Sequence, residues 1–92
     1  MNRNVLIHIL KEEFGAIQAE ARYDLPAGMK LSVFVASPGA LLGVSKVTAL
    51  TLKDHYIILD SEEGRVFTEA ETILGIRVDE EKSQRRGLGF GL

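Results

Sequence analysis

A chain of 92 residues with a formal charge of −2 and a pI of about 5.6 has room for one domain, and it lacks the broad basic footprint with which proteins grip nucleic-acid backbones. Hydrophobic residues make up 46% and charged residues 26%, a globular balance that excludes disorder as a whole-chain state. Cysteine is absent, which removes disulfides, thiolate metal sites and a cysteine nucleophile.

No run approaches the about 20 apolar residues of a membrane span. Lys11, Glu12 and Glu13 interrupt the N-terminal apolar run, and no small-residue cleavage site follows, so a cytoplasmic location with no membrane partner is expected. A single small core gives marginal stability, which makes oligomerisation a natural expectation.

In chain order, Leu6, Ile9, Leu10, Phe14, Ile17 and Ala21 recur at three- and four-residue spacing. This predicts an amphipathic helix over about 4–21, capped by Asn4 or Asn2. Gly15 costs that helix about 1 kcal/mol against alanine. The rival reading makes 5–10 a strand.

Asp24-Leu25-Pro26-Ala27-Gly28 breaks the helix. Five strands then follow. The first is 30–36, where Leu31, Val33 and Val35 alternate with polar and aromatic neighbours, and it ends at the tight turn Ser37-Pro38-Gly39. The second is 40–52, long, with Gly43 marking a bulge or bend. After Lys53-Asp54 come a dense apolar strand at 55–60, a hairpin turn Ser61-Glu62-Glu63-Gly64, a strand at 65–68, the turn 69–72 and a strand at 73–78. From Asp79 the chain turns charged and then glycine-rich, the pattern of a flexible tail over 79–92.

The expected architecture is therefore mainly β: an N-terminal α-helix followed by a five-stranded, strongly bent antiparallel small barrel over 30–78, the whole of 1–78 being one domain. The last two strands carry Val66, Phe67, Ile73, Leu74, Ile76 and Val78 with few charges. Exposed edges of this kind find partners, and edge pairing between copies of the chain predicts a closed homo-oligomeric ring.

At this point the chain resembles the Sm-like family, and especially its bacterial Hfq branch. The order of helix and five strands matches over roughly 25–78. Ser37-Pro38-Gly39-Ala40-Leu41-Leu42-Gly43 is similar to the family's glycine turn, and Asp54-His55-Tyr56-Ile57-Ile58-Leu59 to the Hfq segment Asp-Gln-(Phe/Tyr)-Val-Ile-Leu between strands two and three. The segment 67–73 takes the place of the second Sm motif.

The resemblance implies a ring that binds single-stranded, U-rich RNA at an inner pore, with Tyr56 stacking on a base and His55 hydrogen-bonding nearby. Two features depart from the family. The second strand is longer than in Hfq. Thr68 and Glu69 also stand where Hfq has a basic Lys-His pair, and the Arg-Gly pair of archaeal and eukaryotic Sm proteins is missing. A ring of Glu69 carboxylates would repel phosphate.

Each candidate residue has a plainer reading. Tyr56 is a base-stacking platform or a half-buried strand aromatic. His55 contacts a base or is an exposed turn residue. Asp54 holds the turn through its side chain. Lys53 meets phosphate or is only solvated. His8 in its apolar stretch reads as a satisfied core or interface histidine.

With two histidines and no cysteine no metal-ligand spacing exists, and Asp60, Glu62 and Glu63 read as a solvated hairpin and not a calcium loop. Arg85 and Arg86 beside Gly87, Gly89 and Phe90 are an ordinary terminus or a faint RNA-binding tail. No nucleophile stands beside a base, and no phosphate loop is present. A non-enzyme without cofactor is expected.

The first functional expectation is a ring that binds single-stranded RNA through 53–56. The alternative is a structural or protein-interaction ring whose nucleic-acid site is lost. A third reading is a monomeric SH3-like subdomain of a larger complex.

Overall fold

A short helix, one long shared strand and a set of tight turns build the domain. The structure is a computed structural model and describes residues 1–79. Helix α1 (Arg3–His8) runs into a turn of π-helix (Ile9–Glu13). Seven strands follow: β1 (Ile17–Ala19), β2 (Arg22–Asp24), β3 (Lys30–Ser37), β4 (Ala40–Leu52), β5 (Ile57–Ser61), β6 (Gly64–Thr68) and β7 (Ile73–Asp79), with a 3-10 turn (Ala70–Thr72) before the last. All pairings are antiparallel, and the strands form one bent, seven-stranded sheet that does not close. Among the described residues β6 pairs with β5 alone and β7 with β3 alone. Of the tail expected over 79–92, Asp79 instead ends β7 and pairs with Lys30, and residues 80–92 lie outside the described residues.

The helix is shorter than its periodicity suggests. Asn2 caps α1, its Oδ1 accepting from the backbone N–H of Asn4 (2.7 Å) and Val5 (3.3 Å). Leu6 and Leu10 are fully buried. The helix expected over about 4–21 ends at Glu13, because the Phe14 N–H donates to Ile9 O at 3.2 Å and Gly15 turns left-handed at φ +69°.

Only glycine adopts that conformation without a Cβ penalty. Beyond it, Ile17, Gln18 and Ala19 pair with Asp24, Tyr23 and Arg22. Ile17, an expected core residue, is 68% exposed. What wins over helix propensity is tertiary. Tyr23 is buried in the core, and β2 extends the sheet by pairing Tyr23 with Leu50 of β4.

Strand β4 is the spine. One edge pairs first with β3 and then with β2, and its C-terminal half pairs on the other edge with β5. The switch falls at a bulge. Val44 and Val47 face Val33 and Leu31, so Ser45 and Lys46 oppose Ser32 alone. Lys46 has φ +59°, a left-handed value that is uncommon outside glycine and typical of a bulge.

The bend expected at Gly43 thus lies three residues further on. Gly43 pairs in register with Phe34, and a Cβ built on it would sit 3.4 Å from the Phe34 ring. The glycine admits a flat aromatic cover and does not bend the strand.

Two turns follow the sequence closely. Pro38-Gly39 links Ser37 to Ala40, with Gly39 at φ +75°, as a type II turn requires. Glu62-Glu63 links Ser61 to Gly64.

Inward residues of α1 and of β2 to β5, with Ile73 of β7, form one core. On the outer face Asp60 takes Arg22 at 3.0 Å and Arg65 at 2.7 Å, and Arg22 also holds Asp24 at 3.0 Å. The hydrogen bond it donates to Asp24, with the charge of Asp60 beside it, holds the Arg22 guanidinium above its ordinary value despite its partial burial.

A candidate binding groove at the loop between β4 and β5

The loop 53–56 joins the ends of β4 and β5, and the Lys53 N–H donates to Tyr56 O at 2.9 Å, closing it. Arg3 of α1 straps it further, donating to the Lys53 and Leu52 carbonyls. On the far side the Met1 nitrogen donates to the Ala70 (2.8 Å) and Ile73 (2.7 Å) carbonyls. The 3-10 turn is itself fixed. Thr72 Oγ1 donates to Glu69 O at 2.7 Å and lies 2.6 Å from Thr68 Oγ1.

Between these three elements runs a groove of about 690 Å³. Asp54, His55, Tyr56 and Ile57 form one wall, Glu69, Ala70 and Glu71 another, and Met1, Asn2 and Arg3 the third.

Of the residues expected to form a site, Asp54, His55, Tyr56 and Glu69 therefore line one groove. Lys53 is exposed but stands outside the lining. Thr68 is half-buried and engaged with Thr72. Tyr56 is 43% exposed and lies beside Phe67, itself 60% exposed, with ring centroids 6.2 Å apart and planes at 43°.

Arg3 and Glu71 escaped the sequence reading. No local signal marks them, since only the docking of α1 and the 3-10 turn brings them to the loop. His8, expected in the core or an interface, is exposed on α1.

Electrostatically the groove is acidic. Asp54, Glu69 and Glu71 form no ion pair among the described residues, whereas the strand acids Asp24, Asp60 and Asp79, and the hairpin acids Glu62 and Glu63, all do. The three hairpin-region acids 60, 62 and 63 are thus each committed to an Arg or Lys. Among the described residues Arg3 is the groove's one guanidinium, and it is directed at two backbone carbonyls. Among the described residues no group of three His, Asp or Glu side chains converges as a metal site would.

The fold and groove define a small β-rich domain with a preformed acidic and aromatic surface cleft. No described helix is long and apolar enough to cross a membrane. Searches of protein-family models, curated proteins and solved structures find no match to this chain.

Proposed function

We propose that this chain is a non-catalytic, Sm-like assembly domain. In this reading β3 to β7 are the five strands of a small bent barrel, and copies join through β6 and β7 into a ring that serves protein interaction. One observation carries it. The strand path β7–β3–β4–β5–β6 ends in two strands whose outer edges are unpaired among the described residues, and those strands bear Phe67, Leu74 and Val78 as exposed large apolar residues. An uncovered edge with apolar side chains is a template for pairing, and joining unlike edges of successive copies generates a ring when the rotation closes.

Size exclusion with light scattering, recording absorbance at 260 and 280 nm, tests this reading. A mass of several chains free of nucleic acid is expected. A monomer overturns the ring.

A second reading, single-stranded RNA binding at the same groove, is favoured by the exposure of Tyr56 alone. Three carboxylates and an occupied Arg3 stand against it. If RNA is the ligand, Tyr56→Ala weakens oligouridylate binding by about 1–3 kcal/mol, and the affinity falls steeply with salt. Equal affinity of the variant and the parent excludes Tyr56 as a stacking platform.

A further inference from the structure

We infer that the groove at the loop between β4 and β5 binds a basic peptide segment of a partner protein, receiving a lysine or arginine side chain against Tyr56 and between Glu69 and Asp54. This deepens the protein-interaction reading and rests on it.

Four observations meet here. The site is concave, about 690 Å³. Tyr56 lines it with 43% of its surface exposed, an aromatic ring that attracts a cation. Among the described residues its three carboxylates lack the ion-pair partners that the strand acids have. Its walls are held by hydrogen bonds that the Arg3 guanidinium, the Met1 nitrogen and the Thr72 hydroxyl donate to backbone carbonyls, so little ordering is needed on binding.

An aromatic ring beside carboxylates without ion pairs suits an alkylammonium or guanidinium, whose charge meets the acids while its apolar stem lies on Tyr56. The same charges disfavour a phosphodiester, because the cations that line this groove among the described residues, Arg3 and the Met1 nitrogen, are engaged with backbone carbonyls.

The test is a titration of the full chain, in whatever oligomeric state it adopts, with a short oligolysine peptide and separately with oligouridylate, read by calorimetry and by NMR shifts. Saturable oligolysine binding is expected, with the largest shifts at Tyr56, Glu69 and Glu71. Glu69→Gln with Glu71→Gln should weaken it about tenfold, and Tyr56→Ala about two- to fivefold.

Glu12→Gln with Glu13→Gln removes the same charge from the exposed π-helical turn and should leave affinity unchanged. Equal losses from both pairs of substitutions would mean bulk attraction and overturn the site. Absence of saturation also overturns it, as does oligouridylate shifting the groove residues in place of oligolysine. A ring that ignores oligolysine removes the groove and keeps the assembly. A monomer that binds oligolysine removes the assembly and keeps the groove.

Discussion

At the scale of single residues, backbone conformation separates positions that look alike in the sequence. Gly39 sits at φ +75°, so Gly39→Ala costs about 1 kcal/mol. Gly43 has ordinary strand geometry and a Cβ site 3.4 Å from the Phe34 ring, so Gly43→Ala changes stability by no more than about 0.5 kcal/mol. Chemical denaturation of the two variants checks the contrast, and equal losses would remove the assignment of Gly39 to the turn and Gly43 to ring cover.

Lys46 gives the opposite sign. Its left-handed φ of +59° makes Lys46→Gly stabilising by up to about 1 kcal/mol. Its 3.8 Å ion pair with Glu63 is exposed on both sides and contributes little. Asp60 is mostly buried, with a 16% exposed side chain serving two arginines. Asp60→Asn should cost about 1–2 kcal/mol, read from the same denaturation midpoint.

At the scale of elements, the N-terminal segment divides at Gly15. Leu6 and Leu10 are fully buried, so Leu10→Ala costs about 2–5 kcal/mol, while Ile17→Thr changes stability by no more than about 0.5 kcal/mol. A large loss from the Ile17 variant would restore the long helix.

The five strands from β3 to β7 were legible because alternation and turn chemistry are local. Leu31, Val33 and Val35 alternate, Pro38-Gly39 fixes a turn, and Glu62-Glu63-Gly64 fixes another. The hairpin of β1 and β2 was not legible. Its stability comes from Tyr23 entering the core and pairing with Leu50, twenty-seven positions along the chain. The bulge at Lys46 escaped for a similar reason, since bending there depends on which strand each half of β4 pairs with. Of the groove, the loop wall was legible from its polar and aromatic residues, and the two walls brought by α1 and the 3-10 turn were not.

At the scale of the whole molecule, assembly is a question of two edges. Leu74 is 61% exposed on β7, so Leu74→Lys should leave the fold intact and shift the light-scattering mass toward monomer, because a charge on an edge strand opposes pairing. An unchanged mass would move the contact away from β7. The groove lies at the joint of the loop, α1 and the 3-10 turn, on walls fixed by hydrogen bonds within one chain, so ligand capture and self-assembly can be measured separately.

The doubly paired stretch of β4 has a dynamic consequence. Val47, Ala49, Leu50 and Thr51 each have a partner on both edges, so neither half of the sheet can open there without disturbing the other. Their amide hydrogens should exchange with deuterium only through global unfolding, while those of the outer edges of β6 and β7 exchange through local opening. Exchange rates would therefore show a slow stripe down the centre of one strand, and addition of a partner should slow the edges while leaving that stripe to report the stability of the domain itself.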